Sequence, residues 1–177
     1  MSATSATPMP FACAEGDIHT ISLFVNNKPG VLVRVALVFS RRAYNIESLV
    51  VSPADEGRFS RMTITCSGRR EILSQVVKQL AKLVDVVHAI DHTADSSYQV
   101  EIALIKLDSP LFQRTQILQI AEHYKARVVD FGSESLILQA HGSSEKLDAL
   151  IELLRPFQLV ELVRSGKLLM ARGESLT

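Results

Sequence analysis

Hydrophobic and polar residues alternate through His19 to Val25, with Ile21, Leu23 and Val25 set against Thr20, Ser22 and Phe24, the period of a strand with one face buried. The period then changes. From Gly30 the spacing predicts a helix on which, at about 100° per residue, Val31, Leu32, Val35, Val38 and Phe39 form one apolar stripe, while Val33 and Leu37 fall opposite it among Arg34, Ser40 and Arg41. One sheet cannot bury both sides, and for a short chain the commonest second neighbour is another copy of itself. Strand patterns resume over Ile46 to Pro53 and Phe59 to Cys66, separated by the polar connection Ala54 to Gly57. Arg69 to Leu83 carries Ile72, Leu73, Val76, Val77, Leu80 and Leu83 at helical spacing, and Val84 to His92 closes the unit as a strand. The order is βαββαβ, the ferredoxin-like α+β arrangement in which two helices cover one face of an antiparallel sheet.

The same order follows a second time, in different residues. Val100 to Leu107 reads as a strand and Phe112 to Lys125 as a helix carrying Ile117, Ile120, Ala121 and Tyr124. Arg127 to Phe131 and Ser135 to Ala140 form a hairpin through Gly132. Ser143 then stands as the N-cap of a helix with Leu147, Leu150, Ile151 and Leu154 inward, ended at Pro156. Leu159 to Arg164 is the last strand. Two tandem ferredoxin-like domains are therefore expected, over residues 18–93 and 98–173, joined by a linker at 94–97. Residues 1–17, small and polar with two prolines after the first methionine, are expected to form a disordered tail.

Candidate chemistry concentrates between the first strand and the first helix. Asn26, Asn27, Lys28, Pro29 and Gly30 supply a turn, and the helix that follows presents unpaired N–H groups and the positive end of its dipole. Anions bind such termini. Glycine leaves room for a carboxylate to approach the backbone, and the carboxamides of Asn27 and Asn45 can serve the charged ends of an amino acid. Asn-Lys-Pro-Gly is also ordinary turn chemistry, and Asn45 can simply open a strand. At the corresponding place the second unit has Asp108-Ser109-Pro110-Leu111, where an aspartate and the missing glycine would repel or obstruct a carboxylate; no amino-acid site is expected there.

Charge and composition narrow the classes. Basic and acidic residues number 19 each, so no global field recruits nucleic acid or anionic membrane. Two cysteines, Cys13 and Cys66, make no disulfide framework and suit a reducing, cytoplasmic setting. None of His19, His88, His92, His123 and His141 falls at the spacing of a closed metal site, and no P-loop, dinucleotide fingerprint or nucleophile elbow is present. Glu47 and Arg61 are expected to pair across neighbouring strands. No catalytic residue and no metal ligand is assigned.

Asn45-Ile46-Glu47-Ser48-Leu49, Ser60-Arg61-Met62-Thr63-Ile64 and the run from Lys78 to Val86 resemble the small, regulatory subunits of acetohydroxyacid synthase, also called acetolactate synthase. The likeness continues in Lys146-Leu147-Asp148-Ala149, Arg155-Pro156-Phe157 and Arg164-Ser165-Gly166. It implies two ACT-type domains, the first binding an effector and forming a homodimer through Val33 and Leu37. It places a branched-chain amino acid against Asn27, Lys28, Pro29, Gly30, Val31 and Leu32 of one chain and Asn45 and Ile46 of the other. It implies a non-catalytic chain, free of cofactors, that activates a catalytic subunit and makes it sensitive to valine or a related product. Thiamine diphosphate, Mg²⁺ and FAD are then expected on that catalytic subunit. A free-standing amino-acid sensor of transcription is the alternative, although no helix-turn-helix or basic arm is visible. The family usually has glycine where this chain has Ala43, a substitution expected to cost on the order of 1 kcal/mol if the backbone there needs positive φ.

Overall fold

The structure, a computed structural model, describes residues 17–94, 97–174 and 177. β1 (Asp17–Asn26) leads through the Asn-Lys-Pro-Gly turn into α1 (Val31–Ser40), followed by β2 (Asn45–Ala54), β3 (Phe59–Gly68), α2 (Arg70–Leu80) and β4 (Val86–Asp91). The strands form one antiparallel sheet in the order β2-β3-β1-β4. Asp17 thus opens a strand, one residue inside the segment expected to be tail; the rest of that segment lies outside the described residues, as do positions 95 and 96 of the expected linker.

Ile21, Leu23 and Val25 of β1 and Met62, Ile64 and Cys66 of β3 point to the helix side of the sheet. There they meet Val31, Val35, Val38 and Phe39 of α1 and Leu73, Val76 and Leu80 of α2, all buried. Truncating one of the larger of these costs about 2–5 kcal/mol, because the close-packed surroundings relax only partly into the space left. α2 ends three residues before Leu83: Leu83 still packs on the core, but from the turn that returns to β4, where Val86 N–H donates to its carbonyl at 3.0 Å.

The second unit repeats the plan. β5 (Tyr98–Asp108), α3 (Leu111–His123), β6 (Arg127–Phe131), β7 (Ser135–Gly142), α4 (Ser144–Leu154) and β8 (Leu159–Arg164) give the strand order β6-β7-β5-β8. Ser143 caps α4, its hydroxyl accepting from Lys146 N–H at 3.4 Å. A ninth strand, β9 (Leu168–Met170), pairs with the start of β5; at three residues it is too short to show a period in the sequence.

The first sheet departs from a one-sided strand pattern. Thr20 and Ser22 of β1 and Thr63 and Thr65 of β3 lie on the face away from the helices, yet all four are buried. Ser22 Oγ and His92 Nε2 are 2.8 Å apart on this face. Part of the cover comes from the second unit: Gly166 sits against Ser48 and Val50 of β2, and the Thr177 carbonyl lies 3.2 Å from His88 Nε2. Small hydroxylated residues suit such an internal seam, since their short side chains let backbones approach. Among the described residues no helix is long and apolar enough to cross a membrane.

Candidate functional site

The head of α1 is built by backbone geometry. Gly30 is its N-cap with φ 82°, a left-handed conformation in which a Cβ is strained, and it brings no side-chain cap. No hydrogen bond is made by the amides of Gly30, Leu32 and Val33 within the described residues, whereas Val31 N–H turns back to the Lys28 carbonyl at 3.4 Å. Asn27, Lys28, Pro29 and Gly30 are all exposed. The turn is held from both sides: Asn27 N–H donates to the Arg58 carbonyl at 2.9 Å, and its carboxamide donates to the Gly57 carbonyl at 2.8 Å. Arg34, one turn into the helix, pairs with Asp85, and its Nη1 lies 3.3 Å from where a Cβ on Gly30 would stand. The amides and the Arg34 guanidinium, itself paired with Asp85, lie at one exposed turn, and helix N-termini of this kind attract anions.

Asn45 is elsewhere. Asn26 pairs with Phe59 and Asn45 with Ser67, eight positions further along β3, so the two expected halves of the site stand about 27 Å apart at opposite ends of one sheet. Within one chain they cannot share a ligand. Around Asn45 the local structure is ordered by its own contacts. Its carboxamide donates to Glu47 Oε1 at 2.8 Å, and Ser67 Oγ donates to the same oxygen at 2.6 Å. Those two hydrogen bonds, the one from Ser67 first, hold the Glu47 carboxyl below the usual carboxylate range. A bulge between Ile46 and Ser48 turns Glu47 out of register with β3. Arg61 therefore does not pair with Glu47; it pairs with Ser52 in the ladder and lies 5.8 Å over the Phe24 ring. The pairing expected from sequence fails because neither the bulge nor the register is written locally.

Leu32 also differs from its expected place. It is 42% exposed and joins Val33 at 62% and Leu37 at 45% on the outer side of α1, so the apolar strip facing away from the sheet is wider than the sequence pattern indicated. Cys66 is fully buried and its thiol is pushed up to about 12, chiefly by desolvation, which removes it as a nucleophile. Among the described residues no group of three or more His, Cys, Asp or Glu is placed to hold a metal ion.

At the head of α3 the corresponding arginine is engaged by backbone carbonyls. Pro110 is the N-cap, and Arg114 donates to the carbonyls of Ser109, Gly132 and Ser133 at 2.9, 3.0 and 2.7 Å. An arginine bound to three carbonyls ties this turn to the β6–β7 hairpin, a feature that nothing in the spacing of the sequence announced.

Residues 21–88 match the family described as the small subunit-like ACT domain of acetohydroxyacid synthase, and residues 100–173 match the family described as the small subunit of acetolactate synthase. The chain belongs to the acetolactate synthase small-subunit family. It is 43% identical over 155 residues to the acetolactate synthase small subunit of Mycobacterium leprae, covering 88% of this chain and 92% of that protein. A probable acetolactate synthase small subunit of Archaeoglobus fulgidus is 41% identical over 155 residues, covering 88% of this chain and 97% of that one. The crystal structure of the acetolactate synthase small subunit of Thermotoga maritima superposes with a TM-score of 0.80 at 32% identity, over 90% of this chain and 99% of that one. The two βαββαβ units are accordingly ACT-type domains, and the turn at Gly30 lies in the first, the part matched by the ACT-domain family.

Proposed function

We propose that the chain is the non-catalytic regulatory subunit of an acetolactate synthase. It raises the activity of the catalytic subunit and makes that activity fall when a branched-chain amino acid accumulates, valine or else leucine or isoleucine. Thiamine diphosphate, Mg²⁺ and FAD belong, on this reading, to the catalytic subunit and not to this chain. The observation that carries the reading is the cluster of amides at Gly30 without partners among the described residues, beside an apolar helix face of Leu32, Val33 and Leu37 that those residues leave uncovered.

A twofold pair of chains reconciles the separation of Asn27 from Asn45. A twofold axis across the strands reverses one sheet relative to the other, so the Gly30 end of one copy can adjoin the Asn45–Ile46 end of its partner. The effector's carboxylate would then meet the amides of Gly30 and Leu32, with the Lys28–Pro29 turn and Val31 as its floor. Asn27 of the same chain and Asn45 and Ile46 of the second would close the other side. Because each pocket spans two chains, occupancy favours one dimer geometry over another, which is the differential affinity that regulation needs.

Calorimetry of the chain with valine, leucine and isoleucine, together with acetolactate synthesis by the reconstituted holoenzyme, tests the proposal. Binding of at least one of them and an inhibition that appears only when this chain is added are expected. No binding, or a catalytic subunit indifferent to the chain, removes the reading.

A further inference from the structure

The seam between the two units is narrow and specific at Gly166. This residue is buried and has φ 77°, and a Cβ built on it falls 2.8 Å from Ser48 Cβ, 2.9 Å from Ser48 Oγ and 3.3 Å from Val50 Cγ2. Any other side chain would have to displace β2.

On its own side Gly166 is held firmly. β8 and β9 run along the same edge of β5, and their register slips by one residue at the segment that contains Gly166. Ser165 N–H donates to the Ile102 carbonyl at 3.0 Å, and Ile102 N–H donates to Ser165 Oγ at 3.0 Å. Arg164 forks onto Glu101, 2.5 Å from Nη2 to Oε2 and 3.0 Å from Nε, while Nη1 reaches Asp148 at 2.5 Å. The Glu101 side chain is only 7% exposed, so this pairing fixes the segment to β5 and α4.

The other side of the contact lies at the edge of the first sheet. β2 is an edge strand, and its bulge lies between Ile46 and Ser48. Glu47, at the bulge, is held by Asn45 and Ser67 alone among the described residues. Thr65 Oγ1, paired across from Ser48, is buried with no hydrogen-bond partner among the described residues. A ligand that takes the Asn45 carboxamide from Glu47 acts on the residue next to Ser48, which Gly166 touches.

We infer that the Gly166 contact on Ser48 and Val50 is the coupling point through which the state of the Asn45–Ile46 end of β2 reaches the second unit. The identity of the ligand rests on the proposal above; the contact does not. Gly166 acts here as a positioning residue, its missing side chain letting the turn after β8 rest directly on an edge strand next to its bulge.

Gly166→Ala in the full-length chain tests this, read by amide hydrogen exchange without any amino acid and by inhibition of the reconstituted holoenzyme. The β2 amides from Ser48 to Val50 should exchange at least tenfold faster than in the native chain. The valine concentration for half-inhibition should rise at least tenfold while the Kd for valine from calorimetry stays within threefold. Adding Ser48→Gly vacates the space the new methyl needs and should restore both readouts, which backbone strain at residue 166 alone would not allow. Ser48→Val crowds the contact from the opposite side and should reproduce the single variant if Gly166→Ala proves too unstable to purify.

Unchanged exchange in β2, or failure of Ser48→Gly to rescue, overturns the inference. A native chain that shows no valine response overturns the effector reading instead, and the exchange and rescue experiment then decides the coupling by itself.

Discussion

Arg34 reaches from the first turn of α1 to Asp85, Nη2 to Oδ2 at 2.5 Å, and its other terminal nitrogen stands 3.3 Å from the point where a side chain on residue 30 would begin. A carboxylate introduced by Gly30→Asp therefore lies beside a guanidinium that Asp85 already partners. It would occupy the anion spot from within the chain, and it would do so at φ 82°, where a residue with a Cβ costs on the order of 1 kcal/mol. Inhibition of the holoenzyme by valine should disappear while activation survives, a pair of outcomes checked by titrating the variant into catalytic subunit with and without valine. Wild-type sensitivity would place the effector elsewhere.

Asn45→Ala should weaken effector binding by about 1 kcal/mol, or roughly fivefold, since it removes one hydrogen-bonding group. Glu47 loses a donor at the same time, so its carboxyl should move back toward the ordinary range, though not completely, because Ser67 remains. For stability the sign follows: a carboxyl depressed in the folded state stabilises above its unfolded value and loses that contribution as pH falls through the folded one. Acid titration of Glu47 by NMR in both forms gives the comparison, and calorimetry gives the binding change.

Leu37→Asp puts a charge on the exposed apolar side of α1, where Leu37 is 45% exposed and Val33 62%. Surface substitutions of this kind change the stability of the single chain by about 0.5 kcal/mol or less. Sedimentation should show a folded monomer in place of a dimer, with circular dichroism unchanged. A dimer that persists would mean that α1 is not the contact.

Ala43 has φ 55°, so the residue that stands where the family usually carries glycine is held in the left-handed region. The next residue explains why the backbone stays there: the Tyr44 side chain is buried over Gly68, where any Cβ would overlap its ring, and its hydroxyl donates to the Arg69 carbonyl. Ala43→Gly should stabilise the chain by about 1 kcal/mol. Chemical denaturation with an unchanged slope and a higher midpoint is the expected observation.

Cys66 should resist alkylation in the native chain at neutral and mildly alkaline pH and react at once on unfolding. Its thiol is raised from 9.0 to about 12 in the folded state. The neutral form is thus favoured by folding; its contribution is complete below pH 9.0 and is lost as pH rises toward about 12. Thiol-reactive mass labelling across that range, alongside stability measured by denaturation, follows both effects.

Local pattern was sufficient for the elements of the two βαββαβ units and for their order, though not for the short β9. Alternation in β1, the i, i+3, i+4 stripe of α2 and the Ser143 cap of α4 are each set by a few adjacent residues, and the structure repeats them. The outer apolar residues of α1, Val33 and Leu37, are exposed as the helical period places them. Leu32 was misplaced because a residue at the border of two faces is assigned by the tilt of the helix on the sheet, which no periodicity records.

Legible in the chain alone were the repeated βαββαβ plan and the turn at Asn27 to Gly30, because each depends on backbone sterics and on side chains close together in the chain. The tertiary structure alone decided that Asn27 and Asn45 stand at opposite ends of a sheet, that Glu47 turns to Asn45 and Ser67 instead of Arg61, and that Gly166 bears on Ser48 and Val50. Those relations are set by strand register, a bulge and the docking of two units, and each joins residues whose meeting costs chain entropy that only the assembled core repays.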